Sequence, residues 1–458
     1  MDDDGAPVIV VGGGIAGLTA AFRLHQAGCR VLVLDRSGPE EIGGRMATVH
    51  QGGFHINTGA LLLPRSYRHV LRLAEQVGAA KEILTAGRIA GVFRDGAIHP
   101  IPLEPKTATV KSRLIRSLRA TDLAKIAVDF SRMRRKLRWH DLTRAAPHDF
   151  GTIHDYCRRR GLRADVRDYL LALFPSGLAL TEADETSIVT AFFLINAIMA
   201  CSGGFTSATG VGFLPRALAT RLTVLHGAQV TSVEARRQEA SVTWTDHDGG
   251  ERVRSAAAVV LAVPLPQAAG LCPALPEQLR DYFTRVRYAR SVHVAFGLDR
   301  ATAERAATLH IPRTGSTMVA YGLEHNQARG RVRDGTGLVM AYMRGHWSGA
   351  NWESDDDEVV HHALAETRGL GILPELDSHI TTTRVGRVRQ ATVMRGPGEY
   401  RHVARIAPLL REQAPLHFAG SDYLGQSCVN GALVSGERAA ADVLDALRRS
   451  GRVPLPSR

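Results

Sequence analysis

A chain of 458 residues, 45% hydrophobic and 22% charged, is long enough for two or three compact domains and too apolar for extensive disorder. Its five cysteines (Cys29, Cys157, Cys201, Cys272, Cys428) are scattered and lack a C-x-x-C pair, which argues against a disulfide framework and a zinc site and for a reducing cytosol. The formal net charge of +12 is concentrated, because residues 106–144 hold twelve Lys and Arg against only Asp122, Asp129 and Asp141.

The start, Met1-Asp2-Asp3-Asp4, is acidic where a secretory leader needs cations, so no signal peptide is expected. Next comes a β-turn-α-β unit. "VIVVG" is a short buried strand, Gly12 to Gly17 is the turn, "LTAAFRLHQAG" has helical spacing with Gly28 as its stop, and "RVLVLD" is a second strand ending at Asp35. Gly12, Gly14 and Gly17 fit G-x-G-x-x-G, with Ile15 and Ala16 opening the helix. Such glycines let the backbone approach a pyrophosphate, whose charge sits at the helix N-terminus. Asp35, 18 residues after Gly17, stands where a carboxylate accepts from a ribose diol; it would repel a 2′-phosphate, leaving NAD or FAD.

Further on, "GVFRDGAIHPI" predicts a hairpin turning at Asp95-Gly96. Residues 110–210 are mostly helical in period. Leu123, Ile126, Phe130, Met133 and Leu137 fall on one helical face, ringed by Arg132, Arg134, Arg135, Lys136 and Arg138. That segment reads as a solvated surface helix, as a dock for an anionic membrane or lipid-like substrate, or, with no accompanying recognition motif, least of all as a nucleic-acid binder. "SIVTAFFLINAIMA" predicts a buried helix, and both it and residues 256–271 are too short and too interrupted to span a membrane. "ASVTWTDHDGGERVRSAAAVVLAVP" predicts a hairpin feeding a buried strand that ends at Pro264, and Ser354 with the acids at 355–357 predicts a helix start. Adjacent His361 and His362 diverge by about 100° on a helix, so no metal site is expected there. Trp347 and Trp352 read equally as cavity lining or as packing. The closing stretch "FAGSDYLGQSCVNGALVSGERAAADVL" repeats the strand, glycine turn and helix of the opening.

These stretches together resemble the flavin-containing amine oxidase superfamily, which includes protoporphyrinogen oxidases and phytoene-type desaturases. In "VLVLDRSGPEEIGGRMAT", Arg36, Gly43, Gly44, Arg45 and Met46 are similar to the family's segment around FAD, and "GGFHINTGALLL" places Thr58, Gly59 and Ala60 beside the flavin ring. "GVGFLPRALATRL…GAQVTSVEA" is similar to the middle return, with the Val230 backbone toward the adenine, and Pro264 ends the strand after it. The closing motif implies contacts from Gly420, Ser421, Asp422, Val429, Asn430 and Ala432, so both glycine turns would serve one cofactor. This chain carries Asp35 where the family usually has Glu, a longer link from Asp35 to Gly43, and Ser421-Asp422 in place of a single Asp.

The resemblance implies an α/β (α+β) protein whose Rossmann-type FAD-binding domain (1–80, 211–275 and 410–458) is interleaved with a mixed-sheet substrate domain (81–105 and 276–409) and a helical insert (106–210). It implies noncovalent FAD, a small-molecule substrate, and O2 or another electron acceptor; no nucleic acid is expected. The flavin takes the hydride, so a catalytic triad is not required and none is evident. Amine oxidases of the family carry a Lys on the strand matching "YARSVHVAFGLD", where this chain offers His293, either a proton relay or a hydrogen-bonded strand residue. The expected activity is removal of a hydride from a CH–CH or CH–NH unit of a porphyrinogen-like, polyene-like or specialised apolar molecule. The alternatives are amine oxidation, a non-redox flavin isomerase or mutase, and a flavin-free lipid-handling protein. A cytoplasmic location, with residues 110–144 able to touch the inner membrane face, fits this reading, and the Arg- and Ala-rich composition suggests a bacterium.

Overall fold

The computed structural model describes residues 6–452 apart from 88, 105, 202, 237, 238, 313 and 314; the acidic start at Met1 to Asp4 lies outside them. A five-stranded, all-parallel sheet runs in the order Thr223–His226, Val31–Asp35, Val8–Val11, Ala258–Leu261, Leu416–Phe418. Its strands come from the start, middle and end of the chain. Val8 and Val10 face one core and Ile9 and Val11 the other, as expected of a parallel sheet covered on both faces. On the first face the opening helix Ile15–Gln26 lies against the closing helix Val429–Arg449, at a spacing only glycine allows: a Cβ at Gly436 would stand 2.3 Å from the Ala16 carbonyl oxygen.

A seven-stranded mixed sheet follows the order Ile380–Val393, Tyr288–Leu298, Gly337–Met343, Met318–Leu323, Thr308–His310, Ile89–Arg94, Ala97–Pro102. Its last two strands are the predicted hairpin, with positive φ at Asp95 (51°) and Gly96 (79°). The hairpin of Glu239–Thr245 and Glu251–Ala256 also forms, completed by Gln229–Arg236 into a small antiparallel sheet. Among the described residues no helix is long and apolar enough to cross a membrane.

The basic segment folds as its period predicts, with one difference. The helix is Ala120–Met133, burying Ile126 and Met133 while Arg132, Arg134, Arg135 and Arg138 stay exposed. It tightens into a 3₁₀ turn at Arg134–Lys136, so Leu137 reaches the same core from beyond the helix. Two π-type turns, Arg167–Leu171 and Pro175–Ala179, interrupt the predicted helices, and the strand Gly204–Ser207 pairs with Leu63–Pro64 and Ile83–Thr85, tying the end of the insert to the first part of the chain. The helix Ile188–Met199 is buried along most of its length. Both tryptophans are packing residues: Trp347 stacks on His362 at 4.5 Å, and Trp352 lies between Arg290 and Arg389.

Candidate active site

The opening glycine turn sits at the C-terminal edge of the parallel sheet, where open α/β sheets bind ligands. Each glycine in it has a separate reason. A Cβ at Gly12 (φ 106°) would meet the Ala262 carbonyl oxygen at 2.8 Å, and one at Gly17 the Gly12 carbonyl oxygen at 2.0 Å. Gly14 is different: its φ of −72° suits any residue, and a Cβ there would find nothing nearer than the Gly43 carbonyl oxygen at 3.9 Å. The fold therefore does not require glycine at 14, whereas a phosphate approaching the backbone would. Gly43 N donates to the Gly13 carbonyl at 3.1 Å, and a Cβ at Gly44 would stand 3.4 Å from Gly14 Cα, so the two glycine loops meet face to face.

Asp35 ends its strand beside this meeting point. Its carboxylate accepts from the Gly13 N–H, from Ser37 N at 2.9 Å and from the Ser37 hydroxyl. Arg36 is exposed next to it, while Ile15, Ala16 and Met46 are buried below the loops. The 43–47 loop is laced to the next one, since Thr58 N donates to Ala47 O at 3.0 Å and Ala60 N to Arg45 O at 2.9 Å. Gly59 is forced by that contact: a Cβ there would lie 2.4 Å from Arg45 O. Val230 stands on Gln229–Arg236, an edge strand that begins where Ala228 N donates to Asp35 O at 2.9 Å. Pro264 caps the helix Leu265–Leu271 after the fourth parallel strand.

The closing motif reaches the same place from the other side. Arg45 bonds Asp422 at 2.9 Å and donates to the Ala391 carbonyl at 3.2 Å, and it remains 34% exposed while Asp422 is buried. Asp422 also accepts from Tyr288 Oη at 3.0 Å and Ser427 Oγ at 2.6 Å. Burial alone would raise its carboxyl, but Arg45 and these hydrogen bonds hold it below the ordinary range. The two unusual residues thus have separate jobs: Asp422 fixes Arg45, and Ser421 Oγ accepts from Cys428 N at 3.3 Å. Gly420 N donates to Ser435 Oγ. Cys428 is the N-cap of the closing helix, its sulfur accepting from Gly431 N, and burial pushes its thiol up to about 12. In the first turn of that helix Val429 and Ala432 flank Asn430, whose Oδ1 is buried without a partner among the described residues.

Tyr288, Ser427 and Trp139 were not visible as site residues in the sequence. Trp139 packs edge-on against Tyr67 and Phe193, and its carbonyl oxygen would lie 2.8 Å from a Cβ at Gly431, so the insert touches the start of the closing helix. No local pattern announces it.

His293 lies on Tyr288–Leu298, 2% exposed, with its ring 5.2 Å from Tyr342 and over Gly386, where a Cβ would collide with Nε2 at 2.2 Å. Burial, with Arg384 adding to it, lowers its pKa from 6.5 to about 4. The unfolded chain therefore binds the extra proton, so the stability from burying a neutral imidazole is complete above pH 6.5 and is lost as pH falls toward 4. This amounts to about 3 kcal/mol. The thermal midpoint should drop between pH 7 and pH 5, and drop less in His293→Phe; an equal drop in both proteins contradicts the assignment.

The residues at this junction fit a dinucleotide flavin on structural grounds: an open glycine face, an acid at the strand end, a fixed and partly exposed Arg, and an unsatisfied polar atom in a helix's first turn. A family model for flavin containing amine oxidoreductases matches residues 15–444. The chain is 41% identical over 73 residues to an L-amino-acid oxidase of Naja atra (16% of this chain, 14% of that protein) and 38% identical over 72 residues to amine oxidase [flavin-containing] B of Bos taurus, again 16% and 14%. It therefore aligns with only about a seventh of the length of these relatives. Solved structures similar along nearly the whole chain include wild-type putrescine oxidase bound to putrescine (TM-score 0.76, 18% identity, 96% of this chain and 99% of that one). Cyclohexylamine oxidase of Brevibacterium oxydans matches with TM-score 0.76 and 18% identity over 97% and 100%. A protoporphyrinogen-oxidase-like protein of Exiguobacterium matches with 0.71 and 16% over 97% and 99%. At these identities the likeness is one of fold.

Proposed function

The chain belongs to the flavin-containing amine oxidoreductase family, and on that premise we propose an FAD-dependent oxidase or dehydrogenase acting on a CH–CH or CH–NH unit of an apolar or mixed-polarity small molecule. The observation that carries this reading is the meeting of Gly14 with Gly44, and of the adjacent Arg45 with Asp422 and Ser427 just before the closing helix, with the face of Gly14 left open. When bound, the flavin supplies the two-electron acceptor. The chain's own residues do the rest. Gly12, Gly14 and Gly17 would let the backbone approach the pyrophosphate, and Asp35 and Val230 would hold the nucleoside. Gly43, Gly44 and Arg45, held by Asp422, together with Thr58, Gly59, Ala60 and Asn430, would hold the rest of the cofactor. His293 is a neutral base or relay next to Tyr342 rather than a cation. The raised Cys428 thiol favours a noncovalent cofactor.

On this reading residues 1–80, 211–275 and 410–458 bind FAD, 81–105 and 276–409 form the substrate domain, and 106–210 the helical insert. The test is anaerobic mixing of the holoenzyme with porphyrinogens, polyenes and cyclic amines, followed by O2 or an artificial acceptor. Bleaching of the flavin by one class, with oxidised product in equal amount, is the expected result. Product isomerised without bleaching would point to a mutase instead.

We further propose that the protein is cytoplasmic and rests on the inner membrane face through its basic insert. Val110 (63% exposed) lies in Lys106–Lys111, whose Lys106 Nζ donates to Ile198 O beside Met199 (61% exposed), so apolar side chains sit among cations. Co-sedimentation with phosphatidylglycerol vesicles but not phosphatidylcholine vesicles is expected, weakening with salt; indifference to lipid charge contradicts it.

A further inference from the structure

One face of the seven-stranded sheet packs on the helix Asp356–Gly369, and the other turns toward the strand Phe54–Asn57 and the loop after it. Register sets a single row across this second face. Gly386 pairs with His293, His293 with Tyr342, Tyr342 with Ala320, and Ala320 with His310. Directly paired residues share a face, so these side chains stand side by side. The neighbouring row, Ala295, Met340 and Gly322, is filled by Phe54, Ile56 and Leu61. In the first row Tyr342 packs against the edge of the same cluster. Tyr342 and His310 keep partial exposure. Phe174 stands edge-on to His310 at 6.5 Å, and the π-turn Pro175–Ala179 covers this end, a Cβ at Gly177 lying 3.0 Å from His310 Nδ1.

Three polar atoms in the row, His293 Nδ1, Tyr342 Oη and His310 Nδ1, are buried without a partner among the described residues. Buried polar atoms are nearly always paired, so three unpaired ones in one row call for a hydrogen-bonding occupant. Burial also keeps both imidazoles neutral, at about 4, and the phenol protonated. The carboxylate nearest in chemistry, Glu324, is already committed to Arg331 and Asn57, and the cation Arg384 belongs to the neighbouring row. From His293 to His310 is three strand steps, about 14 Å.

We propose that His293, Tyr342 and His310 form the recognition wall of the substrate chamber, and that the wall takes an uncharged, flat, nitrogen- or oxygen-bearing ring system in preference to an alkylammonium ion. Ala320 is the small residue between Tyr342 and His310, and the two imidazoles and the phenol offer donor and acceptor atoms at intervals along the row. Glu324 is near enough to act on Tyr342, but Arg331 beside it offsets its charge, so a cation there would be desolvated without a free carboxylate, whereas neutral N–H or oxygen groups would satisfy the unpaired atoms. This rests on the flavin reading for what happens to the ligand, but not for whether it binds.

Calorimetric titration of the holoprotein at pH 7.5 with two probes of similar length tests it: 2-phenylbenzimidazole, which is uncharged, and 4-phenylbenzylamine, which is a cation. Binding of the first at least about tenfold tighter is expected, with that preference reduced at least about threefold in Tyr342→Phe and in His310→Asn. Tyr342→Phe loses only one oxygen and should keep the melting temperature. Tighter binding of the ammonium, equal binding of the two, no heat with the uncharged probe, or a preference unmoved by both substitutions overturns the proposal. Flavin released on denaturing each preparation is read separately. A colourless protein that keeps the preference removes the flavin reading and leaves this one standing.

Discussion

Gly14→Val is expected to yield a protein that folds and melts like the parent yet carries little or no flavin. The parent conformation at 14 is open to any residue, and a Cβ there has no neighbour within 3.9 Å, so the apoprotein has no reason to object. What the two methyl groups fill is the approach to the backbone between Gly14 and Gly44. Affinity for added FAD should fall at least about a hundredfold, about 2.7 kcal/mol. Gly436→Val is the counterpart, because its Cβ would strike the Ala16 carbonyl oxygen at 2.3 Å between the two long helices. That variant should lose stability first, and flavin only as a consequence. Equal flavin occupancy in Gly14→Val and parent, measured by release on denaturation, would remove the assigned role of the opening turn.

Arg331→Met should cost about 3–5 kcal/mol of stability, the usual penalty for leaving one member of a buried ion pair alone. Arg331 and Glu324 both have side chains at 0% exposure. Glu324 accepts from Asn57 Nδ2 at 3.1 Å, and Arg331 donates to the His55 carbonyl at 2.7 Å, so the pair fastens the strand Phe54–Asn57 to the seven-stranded sheet. Thr58, Gly59 and Ala60 follow directly, so flavin affinity should weaken as well. Replacing both members, Glu324→Gln with Arg331→Met, should recover more than half the loss because no uncompensated charge remains. Urea unfolding of the three proteins settles it. A single-variant loss under about 1 kcal/mol would mean the pair is solvated or dispensable.

What could be read in the chain and what could not divide by distance along it. The opening turn is local: a strand, three glycines and a helix within some twenty residues, ended by Asp35. The hairpin at Asp95-Gly96 and the buried helix at Ile188–Met199 are local in the same sense, and both formed where their patterns put them. The apolar stripe through Leu137 overran the helix end at Met133 because a 3₁₀ turn keeps nearly the same face. The long-range partnerships were silent. The resemblance brings Arg45 and Asp422 to one cofactor, but nothing in the sequence announces the ion pair between them, 377 residues apart. Glu324 and Arg331 look like ordinary surface charges in a polar stretch, and only the sheet's strand order buries them. The row from His293 to His310 depends on pairing among strands that are not consecutive, so each histidine alone reads as a lone residue on an apolar strand. Recognition of the cofactor was therefore available early, and the character of the substrate wall only once the sheet was assembled.

The most direct test of the central claim, that the opening and closing glycine turns hold one noncovalent flavin, is the visible absorbance of the purified protein before and after heat denaturation and centrifugation. A yellow protein whose flavin bands move entirely into the supernatant is expected. A colourless protein that takes up no added FAD would contradict it. Colour retained in the pellet would contradict the noncovalent assignment and turn attention to Cys428.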